Sequence, residues 1–312
     1  MMVENENAVQ RFRQAAALLP AYLRQGTARL REDELCRVEE IRLRVGRPPA
    51  LSVAGEEWTP KEWSGLTVEP RDLELVLEIA TQASVHTALE RVRSGFVTVR
   101  GGHRIGLCGS GVVRDGEIQN LRHLSSLAIR VAHEVVGAAR MVRSALLVHG
   151  RLQSTLILSP PGYGKTTLLR DLIRMASDGD GMPALRVGVA DERGELAAMY
   201  EGRPQLNIGR RTDVMDGCPK GTGLLMLLRG MNPQVLAADE ITAPADCAAL
   251  ALAANCGVTL LATAHGEGLE DLRRRPMYRE LLEQGIFRRL VLLSRTDGGR
   301  SFRVEPLEGA PC

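Results

Sequence analysis

The amino-acid sequence predicts an α/β fold with two domains: a smaller mixed α+β domain, then a larger domain built on a parallel-rich sheet. The length of 312 residues suggests about two domains of ordinary size. From residue 155 onward, short apolar runs alternate with helical patterns, as a parallel sheet with crossover helices requires. The earlier residues instead mix helical periodicity with alternating, strand-like segments. We therefore place the domains at 1–138 and 139–312.

Composition excludes several classes of protein. The chain is 44% apolar and carries a formal net charge of only +2, so it can form cores but has no global field that attracts nucleic acid. Aromatic residues make up 3% of the chain, which leaves few platforms for stacking bases. The six cysteines include no C-x-x-C pair, which favours buried thiols in a reducing compartment over metal ligation.

Targeting signals are not evident in the sequence. The first ten residues are polar and acidic and lack the apolar core of a signal peptide. No apolar run reaches the roughly 18 residues that a membrane span needs. We expect a cytoplasmic protein without a direct membrane span, whose association with a membrane would depend on a partner.

The N-terminal domain is predicted from five patterned segments. Each shows helical spacing or strand alternation: a helix over 4–24 broken near Pro20, paired strands at 41–45 and ALSV, one or two helices over 69–93, a glycine-rich hairpin from 96 to 113, and a strand over 125–135. The alternation in IRLRV places Arg42 and Arg44 on one strand face. A solvated face explains them better than a functional role. The five histidines of residues 86–149 show no metal-ligand spacing.

The C-terminal domain is predicted from alternating strands and helices. Its strands are continuous apolar runs, as in a sheet covered on both faces: 155–158, 185–190, 234–240 and 258–266. Helices are predicted over 222–231, 244–257 and the segment DLRRRPMYRELLEQG. The segments FRRLVLLSR and RSFRVEPL, joined by TDGG, predict a C-terminal β-hairpin.

A glycine-rich loop between the first of these strands and a helix predicts phosphate binding. The order is strand, Ser159-Pro-Pro-Gly-Tyr-Gly164, Lys165-Thr166, helix. Glycines let backbone N–H groups point at phosphate oxygens, and the helix start adds its positive dipole end. Lys165 would reach the β- and γ-phosphates, and the Thr166 hydroxyl would ligate Mg²⁺. The predicted ATP-binding residues are Pro161, Gly162, Tyr163, Gly164, Lys165, Thr166 and Thr167.

One position departs from the phosphate-loop pattern G-x-x-x-x-G-K-[ST]. Its first glycine is replaced by Ser159, which has a Cβ. We interpret this as tolerated, because Gly162 and Gly164 face the phosphates. A glycine–lysine turn before an ordinary helix is the alternative, and lysine usage counts against it: the chain's three lysines are Lys61, Lys165 and Lys220.

Three later strands also end in polar residues, at the edge where parallel sheets bind ligands. VLAADE delivers Asp239 and Glu240, LRVGVA is followed by Asp191 and Glu192, and VTLLATAHG ends in Thr263 and His265. Asp239 would hold Mg²⁺ together with Thr166 and Glu192, and Glu240 would orient or deprotonate the attacking water. His265 and Thr263 would lie near the γ-phosphate. The alternative for each pair is a solvated strand end.

Hydrolysis also requires positive charge on the transition state, often from an arginine of a neighbouring subunit. The candidates are Arg193, Arg210, Arg211 and Arg229, of which Arg211 and Arg229 join Lys165, Glu240 and His265 in the predicted catalytic set. The segment 207–221 is rich in Gly, Asp and Arg and is long for a connector, which suggests a role in the active site or in subunit contacts.

These motifs resemble a known family. The C-terminal half is similar to the RecA-type hexameric ATPases that power type II and type IV secretion and pili. The resemblance rests on LMLLRGMNPQVLAADEI, on ATAHG, which resembles their histidine box, and on VADERGE, which resembles their aspartate box. It implies a RecA-like P-loop NTPase domain. Asp239-Glu240 departs from the Gly-Glu common in the secretion enzymes, so the analogy does not carry the metal role of Asp239.

A second resemblance extends over nearly the whole chain. The sequence is similar to the stage III sporulation protein AA family in EEIRLRVGRPPAL, FVTVRGGHRIGLCGSGVV, LAIRVAHEVVGAAR, SPPGYGKTTLLRDLIR, VADERGELAAMYEG, GRRTDVMDGCPKG and LRGMNPQVLAADEI. That resemblance implies an ATPase on the mother-cell side of a channel between mother cell and forespore. It further implies a hexamer acting beside membrane proteins of the same operon.

Three functions remain open at the level of sequence. The first is a motor ATPase using ATP and Mg²⁺ to drive assembly of, or transport through, a membrane complex. The second is a nucleic-acid-binding P-loop ATPase, which the near-neutral charge, the few aromatics and the lack of a basic segment after the hairpin disfavour. The third is a scaffold gated by nucleotide with little hydrolysis, against which Lys165, Thr166, Asp239 and Glu240 argue.

Overall fold

The computed structural model describes residues 2–81, 95–296 and 299–307. Within it the chain forms two compact units: Met1–Glu134 with Ala198–Gln205, and Val135–Ala197 with Leu206–Cys312. No feature of the sequence had assigned Ala198–Gln205 to the first unit. The predicted helix after residue 84 lies outside the described residues.

The first unit is built on a six-stranded antiparallel sheet. Its helices are α1 (Met2–Ala16), α2 (Ala21–Thr27), α3 (Glu32–Leu35) and α4 (Pro70–Thr81). Its strands are β1 (Glu40–Arg44), β2 (Ala50–Val53), β3 (Glu56–Trp58), β4 (Phe96–Thr98), β5 (Arg104–Arg114) and β6 (Glu117–Arg130). The strand order is β3-β2-β1-β6-β5-β4, with every pair antiparallel.

The core of this unit lies between its helices and one face of the sheet. Phe12, Leu23, Ile41 and Trp63 are fully buried there, and the Trp63 Nε1–H donates to the Leu23 carbonyl over 2.9 Å. A Cβ at Gly26 would lie 2.4 Å from that indole nitrogen, so the close approach requires glycine. Apolar residues of α1 and alternate residues of β1 supply this core, as their spacing predicts.

The arginines of β1 belong to a solvated ionic network. An Arg42 guanidinium nitrogen lies 2.6 Å from the Glu40 carboxylate, and an Arg44 nitrogen lies 2.7 Å from that of Glu57. Arg130 reaches Glu40 from the neighbouring strand over 2.8 Å. Cross-strand pairs of this kind stabilise a sheet face. These contacts agree with the interpretation of a solvated face and give no indication of a site.

The first unit differs from the sequence prediction in its strands. The predicted strand 125–135 is the end of the longer β6, which stops at Arg130. Strand β3 had no prediction, because its residues show no apolar alternation. The break at Pro20 is confirmed, since the helix resumes at Ala21. Proline lacks the N–H that an uninterrupted helix would use there.

The second unit is built on a seven-stranded, parallel-rich sheet. Its strands are β7 (Leu147–Val148), β8 (Arg151–Leu152), β9 (Thr155–Ser159), β10 (Val187–Asp191), β11 (Thr212–Asp216), β12 (Val235–Ala238), β13 (Thr259–His265), β14 (Arg289–Thr296) and β15 (Gly299–Pro306). The sheet order is β11-β10-β12-β13-β9-β14-β15. Among the described residues of this sheet, the strand pairs are parallel except β14–β15, which is antiparallel and is the predicted C-terminal hairpin. Strands β7 and β8 form a separate two-stranded ribbon.

The helices of this unit are α5 (Arg140–Leu146), α6 (Lys165–Asp178), α7 (Lys220–Gly230), α8 (Pro244–Asn255), α9 (Leu269–Arg274) and α10 (Pro276–Glu283). The helical segment after His265 was predicted as continuous and is divided at Pro276, which begins α10. The segment 207–221 was predicted as a loop, and that prediction is wrong for Thr212–Asp216, which form the edge strand β11. Its polar residues masked a strand that pairs on one side only.

The described helices include none that is both long enough and apolar enough to cross a membrane.

The fold is α/β, with a parallel-rich sheet in the second unit and an antiparallel sheet in the first, as the sequence predicts.

Candidate functional site

The carboxyl edge of the seven-stranded sheet begins with the loop that joins β9 to α6. Gly162 and Gly164 have φ values of 78° and 97°, a region that side chains disfavour. A Cβ added at Gly162 would meet nothing within 4 Å, so its positive φ and not a lack of space favours glycine there. Pro161 and Gly162 are exposed, and Tyr163, Thr166 and Thr167 are partly buried. The first N–H groups of α6 have no partner within the helix and begin at this loop.

Ser159 occupies the place of the first glycine of the motif without strain. It is the last residue of β9 and pairs with His265 of β13. It is 1% exposed, and its hydroxyl donates to the Pro160 carbonyl over 2.9 Å. Ser159 is not among the residues with positive φ, so its extended conformation accepts a Cβ.

The Lys165 ammonium is buried beneath this loop. Its Nζ donates to the carbonyls of Ser159 and Pro160, over 3.1 Å and 3.2 Å, and to His265 Nδ1 over 3.0 Å. The side chain is 4% exposed. Burial lowers the pKa of Lys165, and the negative charges of Glu240 and Asp239 oppose that shift. The chain therefore holds a desolvated cation at the start of α6.

Two threonines fix the carboxylate of Asp239 just beyond β12. Thr166 donates to Oδ2 of Asp239 over 2.6 Å, and Thr263 donates to Oδ1. The Thr263 hydroxyl in turn accepts the N–H of Glu240 over 2.8 Å. Burial raises the pKa of Asp239, the two hydroxyls lower it, and the charges of Glu195 and Glu240 raise it. The start of α6, strand β13 and the end of β12 thus converge on one carboxylate.

His265 joins Lys165 to Glu240, and Glu240 also binds an arginine. His265 Nε2 lies 2.7 Å from Glu240 Oε1, and Arg193 Nη1 donates to Oε2 over 2.8 Å. An ammonium can only donate, so Nδ1 of His265 accepts and Nε2 carries the proton that Glu240 accepts. Glu240 itself has a φ of 51°, a strained conformation for a residue with a side chain and one that clusters at functional sites.

The loop after β10 is fixed by Asp191, the last residue of that strand. The buried carboxylate of Asp191 accepts the N–H groups of Glu195, Leu196 and Ala197 at distances from 2.8 to 3.2 Å. From α6, Arg170 donates to the carbonyls of Glu195 and Leu196. Burial raises the pKa of Asp191, and the three amides oppose that shift. Asp191 thus organises the loop backbone, which the sequence did not indicate.

The predicted metal role of Glu192 finds no support in its contacts. Its Oε2 pairs with the Lys220 Nζ over 2.6 Å, and the lysine is 4% exposed. One narrow cavity of about 10 Å³ is lined by Glu192, Arg193, Glu195, Lys220, Asp239 and Glu240. The described residues contain no group of three or more His, Cys, Asp or Glu arranged for a metal.

Arg211 and Arg229 do not join this site within the chain. Arg211 precedes β11, and its carbonyl accepts the N–H of Val187 at the start of β10. Arg229 lies in the last turn of α7, which starts at Lys220 beside the site and runs away from it. Both therefore lie at the amino edge of the sheet. The structure instead brings Arg193 to Glu240, whereas the sequence could not rank Arg193 above the other arginines.

The residues present fit a nucleotide and Mg²⁺. The loop leads into the start of α6, whose first N–H groups have no helical partner, and Lys165 adds a buried ammonium, as a triphosphate requires. Thr166 and Asp239 offer hydroxyl and carboxylate oxygens, the donors that Mg²⁺ prefers. Two protein oxygens suit Mg²⁺, which keeps waters and binds substrate phosphates in such sites.

Sequence reasoning missed three contributors to this site. Lys220, Arg170 and Glu195 were assigned no role, although Glu195 follows Asp191 in the same acidic segment. Lys220 offered a usable signal, because lysine is rare in this chain. Arg170 offered none, since nothing in its helical segment distinguishes it from other arginines.

Solved structures with the same fold include a pilus retraction motor and an ATPase. The chain is similar to the pilus retraction motor PilT with bound ADP, with a TM-score of 0.61 and 16% identity over 88% of this chain and 80% of that one. It is also similar to the Legionella pneumophila ATPase DotB, with a TM-score of 0.59 and 16% identity over 92% of this chain and 80% of DotB. At such identities the likeness concerns the fold.

Curated relatives are more similar in sequence. Stage III sporulation protein AA of Bacillus subtilis (strain 168) is 38% identical over 284 residues, which cover 91% of each chain. Protein SEEDLING PLASTID DEVELOPMENT 1 of Arabidopsis thaliana is 28% identical over 78% of this chain and 32% of its own length. The family model described as sporulation stage III, protein AA matches residues 9–304. The chain therefore belongs to the sporulation stage III protein AA family.

Proposed function

We propose that this protein is an ATPase that binds ATP with Mg²⁺ at the β9–α6 loop and hydrolyses it. The observation that carries the proposal is the continuous chain of contacts from Lys165 through His265 to Glu240, beside the Thr166–Asp239 pair. A solvated strand end would not require three separate segments to deliver mutually bonded side chains. In this proposal, the γ-phosphate end of the bound triphosphate would lie among these residues.

Each residue has a distinct role in this proposal. Lys165 would exchange its loop carbonyls for β- and γ-phosphate oxygens. Mg²⁺, held by Thr166 and by Asp239 directly or through water, would neutralise charge on those oxygens. Glu240 would orient the attacking water and accept its proton. His265 would respond to the γ-phosphate, because the same ring bonds both Lys165 and Glu240.

The ATPase would act as a motor in a larger assembly. Family membership supports a role in sporulation, and we propose a homo-oligomer, a hexamer, on the cytoplasmic mother-cell side of a channel between mother cell and forespore. Membrane proteins of that channel would be its partners. Arg211 and Arg229 would act on the site of a neighbouring subunit, which remains a prediction. The conformational change would follow release of the γ-phosphate contacts.

ATP turnover of the purified chain across protein concentration tests the proposal. We expect turnover to rise more steeply than in proportion to concentration, and to fall by at least about a hundredfold in Lys165→Ala and in Glu240→Gln. Lys61→Ala is the matched control, because Lys61 is an exposed lysine of the first unit.

ATP binding measured beside turnover separates the alternatives. Glu240→Gln should still bind ATP, because Gln keeps the shape of the side chain, and Lys165→Ala should bind it weakly. Tight ATP binding that depends on Lys165, without turnover even when channel partners are added, would support a scaffold gated by nucleotide. Equal ATP affinity in Lys165→Ala and the unmodified chain would contradict the assigned site.

A further inference from the structure

Arg193 forms an ion pair with the residue to which the proposed reaction assigns proton transfer. Its Nη1 lies 2.8 Å from Glu240 Oε2, and His265 holds the other oxygen of that carboxylate. The Glu240 side chain is 18% exposed and that of Arg193 is 57% exposed. An ion pair with one exposed partner contributes little stability. The ion pair can nevertheless set the orientation of the Glu240 carboxylate.

The backbone that carries Arg193 is unusually well fixed for a loop. Asp191 accepts three N–H groups from residues 195–197, and Arg170 donates to two carbonyls of the same residues. Gly194 takes a φ of 64°, and its N–H returns to the Asp191 carbonyl over 3.2 Å. Arg193 therefore projects from a tight turn whose two ends are both anchored.

The residue before Arg193 also helps to hold this turn in place. Glu192 is paired with the buried Lys220 at the start of α7. The turn is thus held by an ion pair to α7 on one side and presents Arg193 to Glu240 on the other. A long arginine side chain on a mobile loop would lose most of its directing effect to conformational entropy, whereas an anchored turn avoids much of that loss.

We propose that Arg193 is a positioning residue that acts in its own chain, by fixing the orientation of the Glu240 carboxylate for attack by water. With Arg193 on Oε2 and His265 on Oε1, the carboxylate has one orientation rather than several. The inference rests on the proposed ATPase function and differs from the role of an arginine supplied by a neighbouring subunit. It assigns Arg193 no contact with phosphate.

The test compares Arg193→Gln, Arg193→Lys and Arg273→Gln. Arg273 is the matched control: its side chain is 58% exposed, and it pairs with Glu270 over the same 2.8 Å on α9. We expect Arg193→Gln to lower kcat about tenfold to a hundredfold, the cost of misplacing a reacting group, with the ATP dissociation constant unchanged within about twofold. Arg193→Lys should restore part of kcat, and Arg273→Gln should match the unmodified chain.

Combining Arg193→Gln with Glu240→Gln tests whether Arg193 acts through Glu240. The double variant should be no slower than Glu240→Gln alone, because the carboxylate that Arg193 directs is already absent. Additive losses, or a tenfold loss of ATP affinity in Arg193→Gln, would overturn the proposal and make Arg193 a ligand of the nucleotide. A kcat within twofold of the unmodified chain would overturn it as well.

A spectroscopic measurement keeps the inference testable if no turnover is found. In protein with ¹⁵N-labelled histidine at fixed pH, the ring resonances of His265 are identified by their loss in His265→Gln. We expect them to move in Arg193→Gln and not in Arg273→Gln, because Glu240 links the arginine to the imidazole. Unchanged resonances would overturn the positioning role. Moved resonances without turnover would instead count against the proposed ATPase alone.

Discussion

At the carboxyl edge of the seven-stranded sheet, charged side chains of the candidate site pair with one another, whereas three arginines at the amino edge bind backbone carbonyls. Glu240 is held by Arg193 and His265. At the other edge Arg186 donates to the Asn232 carbonyl over 2.8 Å, and Arg289 donates to that of Ala145 over 3.0 Å. Arg211 likewise reaches the carbonyl of Ala184.

The difference shows what an arginine contributes at each edge. Carbonyls of helix and strand ends need donors, and an arginine that satisfies them serves the fold. An arginine on a fixed, partly buried carboxylate controls the direction of a reactive group. Comparing matched side chains at the two edges therefore separates a loss of stability from a loss of function.

The largest expected effect comes from two buried threonines at opposite edges. Thr263 bonds Asp239 and the N–H of Glu240, whereas the Thr155 hydroxyl donates to the Gln153 carbonyl. Both are 0% exposed. We expect Thr263→Val to lower ATP turnover about a hundredfold by releasing the Asp239 carboxylate and the backbone of Glu240, and Thr155→Val to leave turnover within about threefold. Steady-state turnover measures both, and equal losses would remove the distinction between the edges.

The next effect concerns two buried aspartates that cap loops. Asp191 accepts three amides of residues 195–197, and Asp246 accepts those of Gly221, Thr242 and Ala243. We expect either Asp→Asn change to lower the free energy of unfolding by about 2 kcal/mol, because an amide group replaces one acceptor. Urea unfolding measures this loss. Only Asp191→Asn should also lower kcat, since its loop carries Arg193, and an equal loss in Asp246→Asn would contradict this.

A smaller effect is expected in cysteine reactivity. Cys218 follows β11 at the carboxyl edge, where burial and then the charges of Asp216 and Glu192 raise the pKa of its thiol. A raised pKa leaves less thiolate at pH 8, and the thiolate is the nucleophile. Cys256, at the amino edge, is exposed. Iodoacetamide should alkylate Cys256 about tenfold faster, as peptide mass spectrometry can measure. Equal rates would show that the surroundings of Cys218 are open.

The smallest expected effect is on ATP affinity at the amino edge. Arg211→Gln and Arg229→Gln should each change the ATP dissociation constant by less than about twofold, because neither residue contacts the site of its own chain. Turnover should nevertheless fall if both act on a neighbour. Mixing Arg229→Gln with Lys165→Ala chains should then restore activity, since some sites would combine two intact halves. A large loss of affinity would place the arginine in its own site.

The glycine-rich loop between β9 and α6 was predictable because its signals are local. Glycine positions, Lys165, Thr166 and the apolar strand before them are adjacent in the chain, and strand ends such as Asp239 follow buried runs that read as strands. The strand within the segment 207–221 was not predictable, because β11 is a polar edge strand. Arg193 could not be ranked above Arg211, since the partners that separate them lie on other strands.

The sequence by itself determined the α/β class, the parallel strands and the residue types at the phosphate loop, because backbone sterics and apolar periodicity act over a few neighbouring residues. Only the tertiary structure decided which side chains pair. Glu240 meets His265 and Arg193, Asp191 serves its own loop, and Glu192 meets Lys220. These contacts join residues 5 to 47 positions apart. Their formation depends on strand order and loop geometry, which hydrophobic pattern does not specify.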